Sequence, residues 1–348
     1  MFKPTDQAEV LLPCNDLQPT LDFFVGELGF RIDVIFPADH PQVARISGRG
    51  VRLRLEPGDG DPGHLRLAMA DPGEGRVLTA PNGTRIELVE ADPPVVIPPL
   101  VPDFVLTRYG NDPTSGQGRA GMMYRDLIPG RLGGRFIASH ISIPGGGLLS
   151  DWVHFHKIRF QMIFVRRGWV KVVYEDQGEP FVMQAGDCVL QPPRIRHRVL
   201  EASVGLEVVE IGCPALHETL ADPEMELPTG RVLPDRDYGG QAFLRHVAAD
   251  TAWTAFGDGF ERQDTGMLAA TRGIGDCYIL RPGASRGLAQ PAHAGELMFG
   301  FVLEGTAVLE RQGEHALSPA DAFVIPAGEA WGLKDCSEDL RLLQVVVP

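Results

Sequence analysis

From residue 7 to 90 the spacing of apolar positions changes twice. AEVLLPC is an apolar run of strand length, and LQPTLDFFVGELG then sets Leu21, Phe24 and Leu28 on one side of a helix. Asn15 or Asp16 is placed to cap that helix and Gly29 to end it. Short strands follow. Further along, WVKVVYE and DCVLQPP carry β-branched and apolar residues between Gly and Pro punctuation, which predicts a small barrel of short strands. ADPPVVIPPLVPDF, with five prolines, predicts an extended connector and a domain boundary near 91–104. A second joint is expected over 214–255, where PDRDYGG supplies turn signals and the opening PALHETLAD is read as a short helix.

The barrel region repeats itself. DLIPGRLGGRFIASHISIP, from Asp126 to Pro144, lies over DTGMLAATRGIGDCYILRP, from Asp264 to Pro282, at an offset of 138 residues. Gly168 then pairs with Gly305, and AGDCVLQPPRIRH from Ala185 pairs with PADAFVIPAGEAW from Pro319, so the offset falls to 137 and then 134. Short loop deletions would produce that drift, and the pattern means two copies of one structural unit.

In the first copy, HFHKIRFQMIFVRRG and GDCVLQPPRIRH hold two histidines one residue apart, an amide residue and a glycine, then Gly, Pro and a late histidine. These residues resemble the two motifs of the cupin superfamily, closely over about 118–213 and more loosely over 256–348. The front end is similar to a different family. VLLPCNDLQPTLDFFVGELGF, together with APNGTRIELVE near residue 85, resembles the vicinal oxygen chelate superfamily, which includes glyoxalases and extradiol dioxygenases and builds a cup from two βαβββ modules. Here the second module is truncated, because HLRLAMADPGEG passes to RVLTAPNGTRIELVE with no room for the usual helix. That family's metal positions fall on Glu9, Arg54, His64 and Glu87. An arginine has no lone pair for a metal, so a scaffold or dimerisation role is favoured there.

The resemblances together imply a mainly β fold: two cupin barrels, each a double-stranded β-helix, behind a small α+β glyoxalase-like βαβββ domain. The expected division is 1–92 for the front domain, 93–117 for a proline-rich linker, 118–213 for a metal-binding barrel, 214–255 for an inter-barrel linker and 256–348 for a degenerate barrel.

Charge narrows the partners. A formal net charge of -14 opposes binding to phosphate backbones or anionic membranes, so the expected partner is a small molecule, with a homo-oligomer such as a dimer. No apolar run of membrane-spanning length and no leader pattern is visible, and the five scattered cysteines contain no CxxC pair, so reduced core thiols in the cytoplasm are expected.

The candidate chemistry sits in the first copy. His154 and His156 fall on one face of a strand, because strand side chains alternate, and can converge on one ion. The cupin resemblance adds Gln161, at the family's carboxylate position, and His197 from a later hairpin. In the second copy the same positions read Pro291, His293, Met298 and Trp331, so that barrel is expected to serve packing or interface work. An amide at position 161 leaves the ion its full charge, and nitrogen-rich surroundings suit Fe, Co, Ni, Cu or Zn better than Mg or Ca. The expected cofactor is therefore a divalent transition metal, with Fe the first choice for the working ion and Zn, Ni, Cu, Co or Mn as alternatives. Arg159, Arg194 and Arg196 are candidates to meet a substrate carboxylate, since a guanidinium fork recognises one bidentately. Arg159 and Arg196, with His140 as an acid/base residue on the preceding strand, form the expected catalytic set; Tyr174 is a weaker candidate.

The expected function is a metal-dependent cupin enzyme, a non-haem dioxygenase for a small organic acid or aromatic compound. The alternatives are a non-catalytic ligand-binding or sensing protein and a metal-dependent isomerase or lyase.

Overall fold

The computed structural model describes residues 7–73, 76–110, 116–118, 121–257 and 259–348, so the last two residues of HLRLAMADPGEG lie outside the described residues. The chain divides into two compact units, Met1–Pro94 and Val95–Pro348. No helix among the described residues is long and apolar enough to cross a membrane.

In the first unit, strand Val10–Pro13 leads into helix Leu17–Gly26, which buries Leu17, Thr20, Leu21 and Phe24. Neither expected capping side chain caps it. The backbone carbonyl of Asp16 accepts the Thr20 hydroxyl, and the Asn15 side chain is held by the backbone of Gly58. The helix shares a core with a four-stranded sheet in the order Val10–Pro13, Val51–Glu56, Val43–Gly48, Arg31–Phe36, whose first pair is parallel. A three-stranded sheet, His64–Met69, Arg85–Glu90, Val77–Thr79, repeats the first three places of that order, again with a parallel first pair. Glu9 is paired with Arg45 at 3.0 Å, Arg54 with Glu56 at 2.6 Å and Glu87 with Arg66 at 3.4 Å, so arginines neutralise the carboxylates that metal binding in this unit would need.

The second unit holds two barrels with one strand plan. In the first, a seven-stranded sheet runs Leu244–His246, Cys188–Leu190, Phe160–Arg167, Leu206–Cys213, Ile137–Ile143, Met123–Asp126, Gly116–Gln117. In the second, the sheet runs Val105–Thr107, Ala322–Val324, Leu297–Glu304, Arg341–Val347, Asp276–Pro282, Phe260–Asp264, Trp253–Phe256. A smaller sheet closes each barrel. Period-two alternation divides the large sheets cleanly. On Phe160–Arg167, for example, Phe160, Met162 and Phe164 join a core shared by both barrels, while Gln161 and Ile163 line the first barrel's interior.

The structure corrects three sequence expectations here. The segments 93–117 and 214–255 are not plain linkers: Val105–Thr107 pairs with Ala322–Val324 of the second barrel, and Leu244–His246 pairs with Cys188–Leu190 of the first. Each connector adds the outer strand to the other barrel, which satisfies backbone groups that an open edge would leave unpaired. PALHETLAD forms no helix; its Leu220–Ala221 pairs instead with His154–Phe155. Finally, Ile137–Ile143 corresponds in ladder position to Asp276–Pro282, an offset of 139 rather than 138, and Gln290 rather than Pro291 stands opposite Trp331 as His154 stands opposite His197.

Candidate metal centre

Strand His154–Phe155 brings in His154, with His156 just beyond it, and the adjacent strand His197–Ala202 places His197 directly opposite His154. All three imidazoles are buried, and one ring nitrogen from each lies within 4.8 Å of the others, so the three could hold a metal ion. Ring centroids are 4.2 Å apart for His154 and His197, 5.4 Å for His154 and His156, and 5.5 Å for His156 and His197.

Backbone carbonyls decide which nitrogen is offered. Nδ1 of His154 lies 2.8 Å from the Trp152 carbonyl, Nδ1 of His156 lies 3.0 Å from that of Glu218, and Nδ1 of His197 lies 3.0 Å from that of Ile195. A carbonyl oxygen only accepts, so each Nδ1 must carry a proton, and Nε2 is the nitrogen of each ring left to face an ion. This is the arrangement by which a neighbouring acceptor orients an imidazole as a metal ligand. The buried carboxylate of Asp151 stands 3.8 Å from His154 Nδ1 and also accepts the backbone N–H of Val199 at 2.9 Å.

The three histidines and Gln161 line one cavity of about 80 Å³. Its walls are largely apolar, with Met122, Ile141, Val170, Val172 and Met183 among them. Gln161 is 2% exposed, and its Nε2 donates to Glu210 Oε1 at 2.6 Å. Tyr174 stacks on His197 at 5.6 Å and accepts the Gln191 amide through its hydroxyl at 2.9 Å. Burial pushes its phenol well above the ordinary range, so it remains a neutral hydroxyl.

The expected catalytic trio lies elsewhere. His140 is on the opposite face of its strand from the cavity-lining Ile141 and packs on Phe301 of the second barrel, with ring centroids 5.6 Å apart. Its Nε2 donates to Glu207 at 2.8 Å, while Nδ1 lies 3.3 Å from Arg125 Nη2. Arg159 ion-pairs with Glu296 at 2.7 Å. Arg196 pairs with Asp222 at 2.9 Å and covers the Phe155 ring at 4.2 Å. None of these three lines the cavity, nor does Arg194. The arginine that does is Arg198, whose Nε is buried without a hydrogen-bond partner among the described residues. Arg198 also lines an outer pocket with Asp151, Trp152 and Asp222.

Glu210 and His217 also escaped the sequence reading. Glu210 sits in the middle of an apolar strand with no motif around it. His217, edge-on to His156 at 5.2 Å, lies in the segment expected to be helical. A carboxylate inside the run LEVVEIGC was the one available signal.

The second barrel's interior is filled by apolar side chains at the corresponding positions. Met298, Trp331 and Phe323 are buried in its core, and the Phe323 ring occupies the space where a side chain at Gly300 would project. His293, the histidine of the HxH-like segment, places Nε2 2.8 Å from the Ile325 carbonyl.

Comparison with known proteins bears on one segment of the chain and on its fold. Residues 277–346 match the family model of the cupin domain, which is the second barrel and not the one with the histidines. Among curated proteins, none matches this chain. Among solved structures, a variant of salicylate 1,2-dioxygenase from Pseudoaminobacter salicylatoxidans is similar with a TM-score of 0.53 and 17% identity, covering 73% of this chain and 86% of that one. Oxalate decarboxylase from Bacillus subtilis gives a TM-score of 0.52 at 12% identity, over 70% of this chain and 76% of that one. A glyoxylate-induced protein from Pseudomonas aeruginosa gives 0.51 at 16% identity, over 74% and 93%. At these identities the likeness concerns the fold alone.

Proposed function

We propose that this chain is a metal-dependent cupin enzyme, a non-haem dioxygenase acting on a small organic acid or aromatic compound, with His154, His156, Gln161 and His197 holding its ion. The observation that carries this reading is the shared orientation. Three buried imidazoles each donate Nδ1–H to a carbonyl, which leaves Nε2 of each as the nitrogen that can converge on an ion. When bound, the ion supplies Lewis-acid polarisation of an oxygen-bearing substrate and, if it is iron, the electron chemistry that dioxygen requires. The remaining work falls to the chain itself. Arg198 takes the carboxylate-binding role expected of Arg159 and Arg196, the apolar wall excludes water and holds the organic body, and Tyr174 offers a neutral hydroxyl. The likeness to an enzyme that acts on salicylate supports this choice.

A lyase is the second reading, favoured by the likeness to oxalate decarboxylase. The front unit serves as a truncated glyoxalase-like scaffold, a role its repeated strand order supports. The partners are a small-molecule substrate and a second copy of the chain, and five buried free thiols fit the reducing cytoplasm. The test is oxygen uptake by iron-loaded protein over a panel of small aromatic and aliphatic acids. Uptake with one acid is expected; consumption of an acid under strict anaerobiosis would give the lyase reading instead.

A further inference from the structure

We infer that Glu210 is a positioning residue that turns the Gln161 amide so that its oxygen faces the ion, an inference that rests on the metal reading above. Phe160–Arg167 and Leu206–Cys213 pair antiparallel with Gln161 opposite Gly212, which puts Glu210 on the same face two residues away. That diagonal is within reach of long side chains. The Gln161 amide meets the Glu210 carboxylate at 2.6 Å. Nε2 is the donor of that bond, so Oε1 is turned to the other side of the amide plane. With Gln161 buried in the wall it shares with three imidazoles, the amide has little freedom to do otherwise.

The pairing has a second effect. A hydrogen bond to a charged acceptor is stronger than a neutral one, and it polarises the amide so that Oε1 carries more negative charge. A neutral oxygen becomes a better donor, while the formal charge stays one residue away from the ion. The pair thus does the work that one carboxylate at position 161 would do. The second barrel supplies an internal comparison: ladder positions assign Met298 and Gln344 as the counterparts of Gln161 and Glu210. Where the histidines are lost, both members of the pair are lost with them.

The experiment uses the full chain and Co(II) alone as probe, with affinity measured by chelator competition and geometry by visible absorption. Glu210→Gln should weaken Co(II) binding by about 10- to 100-fold and alter the spectrum, as loss of an orienting partner does at other sites. Glu210→Asp keeps the charge but withdraws it from Nε2, and should weaken binding in the same direction. The exchange Gln161→Glu with Glu210→Gln rebuilds a charged ligand with an amide partner and should recover affinity to within about threefold of the unaltered chain, a margin of less than 1 kcal/mol. Unchanged affinity and spectrum in both Glu210 variants would overturn the inference, as would unchanged affinity in Gln161→Ala. A different result marks failure of the metal reading itself: Co(II) uptake by the unaltered chain no greater than by His156→Ala would overturn both.

Discussion

At the scale of single residues, the atom each side chain offers matters more than its type. His156 contributes Nε2 because the Glu218 carbonyl holds its other nitrogen, so His156→Ala should reduce bound metal to background. The variant should stay folded, since the barrel core is chiefly apolar; elemental analysis beside a thermal melt checks both halves. The same concern for neighbours changes the expectation for Gln161→Glu. A lone new carboxylate would tighten metal binding, but here it would face Glu210 across 2.6 Å, and two carboxylates so close share a proton. Arg198→Gln belongs to substrate recognition. It should leave metal content intact and weaken binding of a small aromatic carboxylate to Zn-loaded protein by about tenfold or more, the scale of one charged hydrogen bond. Equal affinity by calorimetry would remove Arg198 from the site.

At the scale of elements, the faces of the large sheets carry separate duties, and the outer face carries titratable groups. His140 and Arg166 approach Glu207 on the face turned to the second barrel. The hydrogen bond from His140, with the Arg166 charge behind it, holds the Glu207 carboxyl down to about 2, while burial pushes the His140 imidazole below its ordinary range. Both shifts have one sign. A depressed carboxyl contributes stability that is complete above its unfolded value near 4.5 and is lost as pH falls toward 2. A depressed imidazole contributes stability that is complete above its unfolded value of 6.5 and declines as pH falls through it. The melting temperature should therefore drop on acidification from pH 7 to about 3, and Glu207→Gln should flatten the part of that profile below pH 4.5. The Glu207 contribution is at most about 3 kcal/mol. A profile that is flat in the unaltered protein would contradict the assignment.

At the scale of the whole molecule, the two barrels stand or fall together. The first barrel turns Phe160, Met162, Phe164, Val209 and Ile211 toward its neighbour, and burial of each such side chain is worth about 1.5–3 kcal/mol. Their sum, on the order of 10 kcal/mol, matches the entire stability of an ordinary domain. Residues 118–213 expressed alone should therefore aggregate, whereas residues 95–348 should be soluble, melt in one transition and bind metal as the full chain does. Two resolved transitions in calorimetry of 95–348 would show the barrels to be independent. His293→Ala should leave metal content unchanged, because Trp331 and Met298 already fill the interior of its barrel.

The repeat, the mainly β class and the pairing of His154 with His156 were legible in local spacing, whereas Gln161 and His197 came only from the cupin resemblance; the structure brings the three histidines together and sets Gln161 in the wall of the same cavity. A histidine, one residue and a histidine must share a strand face, and two segments with the same punctuation fold alike. What the sequence left undecided depends on which face of a strand meets which neighbour. His140 and Ile141 are adjacent, yet one serves the barrel interface and the other the cavity, and no local pattern says which face is which. Arg159 and Arg196 stand close to the motif in sequence but find carboxylates in Glu296 and Asp222, partners that only the packed chain supplies. Glu210, Arg198 and the segment around His217 reach the site through strand pairing between distant residues, and the connectors become strands because open sheet edges elsewhere need partners. Local chemistry was set by the order of residues; the assignment of each side chain to cavity, interface or solvent was set by tertiary pairing, since backbone hydrogen bonds and apolar burial are satisfied only across the whole fold.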